Sequence, residues 1–381
     1  MTTKVFRNPA TVAELDAAPD RRPLGLHRRL PGYSPTPLVE APALAGALGV
    51  GRVWVKDESS RLGLPAFKVL GAAWAAYRAL EERAGGELGK WKDVAELGER
   101  LAPLRPLTLC AATDGNHGRA LARVAALFGL GARIFVPAGM APARVRAIES
   151  EGATVTVVAG SYDETVERAA AERGEWCLVI QDTSWPGYET VPRWVIEGYS
   201  TILWEVEDEL SRRNEPGPDL AAAQIGVGAF AAAVCRHYRG PGASSRPALI
   251  GVEPASADCA RRSAESGRLV SVPGPHPSIM AGLNCGLPSG VAWPSVSGGI
   301  DLFAAIEDAP VHRAMRLLAE SGVVSGETGA AGLAGLLELA DAGELPAGPD
   351  SRVLIFNCEG ATDPESYDRI VFGSPSEPAG G

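Results

Sequence analysis

Ala112-Thr113-Asp114-Gly115-Asn116-His117-Gly118 is the stretch on which the reading of this chain turns. It is a loop of small and polar residues between an apolar run, 107–111, and a run from 116 to 128 whose apolar residues recur every three to four positions. A strand that feeds a helix through such a loop is the repeating unit of a parallel sheet, whose crossover helices cover its faces. N–H groups at the start of a helix also hold anions such as carboxylates. An ordinary cap by Asp114 or Asn116 explains the same residues.

The alternation continues in both directions. Strand-like runs lie at 52–56, 107–111, 132–136, 154–158, 177–180, 248–253 and 352–356. Helix-like runs lie at 69–83, 116–128, 142–151, 162–173, 192–210, 229–238, 311–320 and 330–340. This pattern predicts an α/β fold with open, mainly parallel twisted sheets flanked by helices. The units between 106 and 189 are expected to close into a small domain. Segments 1–105 and 190–372 then form a larger, discontinuous one, with a polar connector carrying one helix at 84–105. Residues 273–288, rich in proline and glycine, read as irregular loop. Residues 373–381 read as a disordered tail.

The 381 residues are 46% apolar and 22% charged, enough for a sizeable core. A net charge of −10 disfavours nucleic-acid and anionic-membrane partners. No run reaches the length of a membrane span, and the polar start lacks a signal-peptide core, so a cytoplasmic protein is expected. Six scattered cysteines and five histidines give no metal-ligand spacing, and reduced thiols are expected.

Two further segments carry chemistry. Lys68 stands among Ala66, Phe67, Val69, Leu70 and Gly71; most lysines merely snorkel, but a desolvated one has a lowered pKa suited to Schiff-base formation. Gly226-Val227-Gly228-Ala229 follows an apolar run and opens a helix, where backbone amides can converge on a phosphate. Glycines are also needed at any tight strand-to-helix turn. A dinucleotide fingerprint would place a third glycine at 231, which is alanine, so a dinucleotide- or ligand-binding protein is a weaker alternative.

Taken in order, these motifs resemble the pyridoxal-phosphate enzymes of the tryptophan-synthase-β-like fold (fold type II), and within them the diaminopropionate ammonia-lyase family. The likeness runs from about Thr36 to Tyr367. It rests on Ser60-Arg61-Leu62-Gly63-Leu64-Pro65-Ala66-Phe67-Lys68, on 112–119, on Gln181-Asp182-Thr183-Ser184-Trp185-Pro186-Gly187-Tyr188, on Ile279–Gly286, on Ser325-Gly326-Glu327-Thr328-Gly329, and on Glu359-Gly360-Ala361-Thr362-Asp363. The resemblance implies a homodimeric enzyme with pyridoxal 5'-phosphate on Lys68. It implies Phe67, Asn116, residues 226–229 (Gly226, Val227, Gly228, Ala229), Glu327 and Cys358 around the cofactor, with Asn116 on its ring hydroxyl and Cys358 facing the pyridine nitrogen. Thr113, Asp114, Gly115, His117, Asp182 and Tyr188 would meet an amino-acid substrate. Lys68, Asp114 and Asp182 would be catalytic, and the reaction would be α,β-elimination of 2,3-diaminopropionate to pyruvate and ammonia.

Asp114 carries the substrate distinction. In serine and threonine dehydratases the matching loop has a serine; a carboxylate about 4 Å from a second ammonium gains on the order of 4 kcal/mol at intermediate dielectric, before desolvation. By the resemblance, Lys68 takes the α-proton of an L-substrate, and Asp114 that of a D-substrate from the opposite face. Pro65, Pro186 and residues 275–277 depart from the family pattern. They leave open a dehydratase or β-replacement enzyme acting on another amino acid such as serine or threonine. Cys259 and Cys285 occupy segments where the family can carry a disulfide-capable pair.

Overall fold

The computed structural model describes residues 3–113, 115–160 and 162–373. All of the expected tail, 373–381, but its first residue lies outside the described residues, as does Asp114. Among the described residues there are eleven strands: β1 (Lys4–Arg7), β2 (Leu38–Glu40), β3 (Arg52–Asp57), β4 (Thr108–Ala112), β5 (Gly131–Pro137), β6 (Thr154–Val158), β7 (Cys177–Val179), β8 (Leu220–Gln224), β9 (Ala248–Pro254), β10 (Leu302–Ile306) and β11 (Arg352–Asn357). They form two sheets, a seven-stranded one ordered β1-β10-β9-β8-β11-β3-β2 and a four-stranded one ordered β6-β5-β4-β7.

The small sheet is parallel throughout. In the large sheet β10, β9, β8, β11 and β3 run parallel, while short antiparallel strands β1 and β2 close its two edges. Short edge strands limit the unpaired N–H and C=O groups a sheet exposes. This is the mainly parallel α/β architecture that the sequence implies. Strands β1, β2 and β10 are absent from the sequence reading, and β8 enters it only as the run before the Gly226 turn, without bounds. β8 (LAAAQ) and β10 (LFAAI) are buried at every position, and so lack the apolar–polar alternation that betrays a strand. Their alanines favour helix when taken alone.

Apolar clusters cover both faces of the large sheet. On one side the helix Lys68–Arg83 packs against Thr190–Arg212. Their crossing depends on glycine: a Cβ at Gly198 would lie 2.6 Å from Leu70 O and 2.8 Å from Gly71 Cα. On the other side Glu327–Asp341 and Asp308–Glu320 pack together. The helix that begins at Lys68 is thus locked backbone to backbone, which fixes the base of that side chain.

No helix among the described residues is long and apolar enough to cross a membrane. The stretch 273–288 holds only the short 3₁₀ turn Ala281–Leu283, as its composition implies.

Candidate active site

Five of the segments singled out in the sequence leave the carboxyl end of a parallel strand, where open α/β sheets build their sites; 279–286 and 325–329 follow helices instead. β4 leads to Thr113–Gly118, β7 to Gln181 and Asp182, β8 to Gly226–Ala229, and β11 to Cys358 and Glu359. β3 leads through Glu58 and Arg61 to Lys68.

Lys68 is the first residue of its helix, and two devices hold the loop before it. The first is a short antiparallel pairing with the chain beyond β11. Phe67 N donates to Cys358 O at 3.3 Å and Gly360 N to Pro65 O at 2.8 Å, with Ala66 bridged to Glu359. The second is a buried set of two cations and two anions. Arg61 donates to Glu58 at 2.6 Å and to Glu205 at 2.7 Å, while Lys56 Nζ donates to Glu205 at 2.7 Å. All four side chains are at most 2% exposed. The charges balance within the set, so each buried ion has a partner.

Across the cleft Asp182 follows β7 and is also buried. Lys68 Nζ donates to Asp182 Oδ2 at 2.8 Å. Burial alone would push this carboxyl up. The Lys68 ammonium, with His117, outweighs that and holds it down at about 2, so Asp182 is ionised at neutral pH. Its backbone is fastened on both sides. The Gln181 side chain exchanges two hydrogen bonds with the Ala112 backbone, each 3.1 Å, which locks the ends of β4 and β7 together. The Tyr188 hydroxyl donates to Val179 O at 2.6 Å and accepts from Gln181 N at 2.9 Å, and Trp185 stacks on its ring at 4.1 Å. Tyr188, expected at the substrate, thus has its hydroxyl committed to the backbone that carries Asp182.

In the β4 loop, Thr113 Oγ1 accepts from Gly115 N at 2.9 Å and Gly118 N at 3.0 Å, capping the helix start. Gly115 adopts a φ of 148°, a conformation that favours glycine. His117 is buried and its Nε2–H donates to Ile180 O at 2.7 Å, while Nδ1 has no hydrogen-bond partner among the described residues. The Asn116 amide donates across the cleft to Glu359 Oε2. The cleft here is lined by Pro65, Gly115, Asn116, Arg144, Gly282 and Glu359.

The turn after β8 opens the helix Ala229–Arg239, which no side chain caps. Gly228 has a φ of 92°. A Cβ at Gly226 would meet Gly282 O at 2.9 Å. The turn therefore presents bare amides in a space a larger residue would fill, which suits a phosphate. It is joined to the lysine through Phe230, whose ring lies 5.0 Å from that of Phe67, while Phe67 also packs on Tyr199 at 4.7 Å. Tyr199 Oη is buried with no hydrogen-bond partner among the described residues, a polar atom available to a bound group. Cys358 is buried beside the lysine loop, and burial pushes its thiol well up, so it is neutral. These residues fit a phosphorylated pyridine aldehyde: an amine to bond it, amides for its phosphate and a neutral thiol for its ring nitrogen.

Glu327 begins its helix and is buried, but its Oε1 accepts from Ser366 Oγ at 2.7 Å. Glu359, not Glu327, is the carboxylate that contacts Asn116. Sequence reasoning gave Glu359, Gln181 and Arg144 no role, although Glu359 and Gln181 stand in quoted motifs. Nor did it foresee the set of Lys56, Glu58, Arg61 and Glu205, whose members are scattered from the end of β3 to the helix Thr190–Arg212.

Residues 29–359 match the pyridoxal-phosphate dependent enzyme family. The chain belongs to that family. Within it, the chain is 33% identical over 394 residues to the diaminopropionate ammonia-lyase of Salmonella typhimurium, covering 98% of this chain and 96% of the relative. It is 35% identical over 363 residues to the enzyme of that name from Escherichia coli, covering 91% and 89%. The crystal structure of the Escherichia coli diaminopropionate ammonia lyase in complex with D-serine superposes with a TM-score of 0.89 at 32% identity, covering 97% of each chain. The same enzyme in complex with an aminoacrylate-PLP azomethine reaction intermediate gives 0.87 at 32% identity, covering 98% and 97%. A tomato threonine deaminase shares the fold at 17% identity with a TM-score of 0.73.

Proposed function

We propose that this family member is an ammonia-lyase that converts 2,3-diaminopropionate to pyruvate and ammonia by α,β-elimination. The observation that carries the reading is the Lys68–Asp182 pair, 2.8 Å long, formed between the two sheets' site loops. The near full-length likeness to enzymes named for diaminopropionate gives the substrate class.

When bound, pyridoxal phosphate supplies an electron sink for charge developing at the substrate's α-carbon. Lys68 Nζ anchors it and moves the α-proton of an L-substrate. Asp182 Oδ2 orients that amine and keeps its charge partnered. Amides of 226–229 would hold the phosphate and Asn116 the ring oxygen, with Phe67 and Glu327 also around the cofactor. A neutral Cys358 thiol as partner of the ring nitrogen would not keep that nitrogen protonated, which would favour loss of a β-group over transamination. The Thr113–His117 loop receives the substrate carboxylate at a helix start. Asp114 meets the second ammonium and serves as base for a D-substrate. Tyr188 acts through the backbone of Asp182.

The same reading takes the four-stranded sheet as the core of a small domain, 106–189, set on a larger one formed by 1–105 and 190–372. It takes the protein as a cytoplasmic homodimer with a role in amino-acid catabolism.

The test is a panel of D- and L-diaminopropionate, serine and threonine, read by coupled pyruvate and ammonia release. Turnover of diaminopropionate is expected. Turnover of serine or threonine alone rejects the amine specificity and leaves a dehydratase. Borohydride trapping with peptide mapping is expected to mark Lys68; a mark elsewhere moves the anchor.

A further inference from the structure

We propose that Glu359 is a positioning residue that sets the Asn116 amide across the cleft, and through it the grip on the cofactor's ring oxygen. The inference rests on the cofactor reading above and adds to it a residue that the reading leaves without a task.

Glu359 stands where three parts of the site meet. Its backbone is bridged to Ala66, two residues before Lys68, and it follows Cys358 directly. Its carboxylate reaches away from that ladder: Oε2 accepts from Asn116 Nδ2, and Oε1 accepts from Thr328 N at 3.2 Å. One oxygen is therefore spent on the helix start beyond the small sheet and the other on the helix that covers the large sheet. The side chain is 5% exposed and forms no ion pair among the described residues. The charged groups that act on it are Arg144, on the helix Pro142–Glu149, and Glu327, on the helix Glu327–Asp341.

A carboxylate only accepts, whereas an asparagine amide has an accepting and a donating end. An acceptor held at Nδ2 selects one of the two amide orientations. It leaves Oδ1 and the second N–H of Asn116 to face a ligand. Without that acceptor the amide turns over freely, and a ring oxygen meets the wrong end part of the time. A glutamine at 359 would keep the volume but present either end of its own amide, restoring contact with weaker selection.

The test compares the wild-type holoenzyme with Glu359→Ala, Glu359→Gln, Asn116→Ala and the double variant Glu359→Ala/Asn116→Ala. Two readouts are used, the rate at which each holoenzyme loses its lysine-bound visible band on dilution, and the position of that band. Loss of a hydrogen bond to a charged group corresponds to about a tenfold change. Glu359→Ala and Asn116→Ala are each expected to speed the loss by about that factor and to shift the band. The double variant is expected to be no faster than either single one, because the two residues act as a unit. Glu359→Gln is expected to fall between wild type and Glu359→Ala. If Glu359→Ala does not fold, Glu359→Gln against Asn116→Ala decides on the same two readouts.

Multiplicative effects in the double variant overturn the inference. So does a Glu359 variant that loses thermal stability while band and loss rate stay at wild-type values, which is what a purely structural strut would do. A wild-type protein with no lysine-bound band, or a band that survives Lys68→Ala, rejects the cofactor reading instead.

Discussion

Asp182 accepts a hydrogen bond from Lys68 at 2.8 Å, although the two residues enter from different sheets and lie 114 positions apart. Each is held by backbone rather than by the other. The lysine loop pairs with 358–360, and Asp182 is gripped by Gln181 and Tyr188. The pair therefore reports the relative placement of two independently built loops, and it can be probed from either side.

Asp182→Asn removes the charge and keeps the shape. Lys68 is expected to hold the cofactor still, while turnover falls by about 10²–10⁴-fold, the usual worth of a positioned proton-transfer partner. Steady-state pyruvate formation beside the visible spectrum measures both; unchanged turnover takes Asp182 out of the chemistry.

Tyr188→Phe deletes a hydroxyl that serves two backbone groups, at Val179 O and Gln181 N. Leaving those groups buried and unpaired costs about 1–3 kcal/mol. A lower urea midpoint and reduced turnover with an unchanged cofactor band are expected. A change in apparent substrate affinity alone would show the hydroxyl to be a substrate contact instead.

Arg61→Met leaves Lys56 as the one cation for two buried carboxylates, Glu58 and Glu205. Breaking a buried ion network from one side typically costs about 3–5 kcal/mol. The denaturation midpoint is expected to fall, and the cofactor to dissociate faster, because the loop that ends in Lys68 loses its footing.

Gly226→Ala places a Cβ 2.9 Å from Gly282 O, so the turn or the 282 loop must shift. Weaker cofactor retention is expected on dilution of the holoenzyme, with little change in the fold by circular dichroism. Wild-type retention would move the phosphate site away from this turn.

Glu253 offers a pH test remote from the chemistry. It is fully buried at the end of β9, and burial pushes its carboxyl from 4.5 up to about 8, against two backbone amides that donate to it. As pH rises past 4.5 the unfolded chain releases this proton first, so the folded state binds more protons and stability falls until about pH 8. Thermal melts between those limits are expected to decline less steeply for Glu253→Gln than for wild type. Parallel curves would place the carboxyl's titration elsewhere.

Much of this was legible in the sequence because two patterns are local. Helix periodicity located the helices that carry Lys68 and Asn116, and small-residue turns marked the ends of β4 and β8. What stayed hidden is what depends on partners far along the chain. The alanines of β8 and β10 become strands because both faces are covered, which no local window contains. Glu359 acquires its contact with Asn116 only when the two sheets meet. The Tyr188 hydroxyl read as a substrate group, and three-dimensional proximity gave it to the backbone. Arg61 and Glu205 had no role in the sequence reading because they lie far apart in the chain, yet each is buried on the other.

The ladder between 65–67 and 358–360 has a consequence for biosynthesis. A nascent chain cannot close this pairing around the loop before Lys68 until residue 360 has left the ribosome. The shape of that loop is thus set only after every strand of both sheets has been translated, and a product terminated before 358 lacks it.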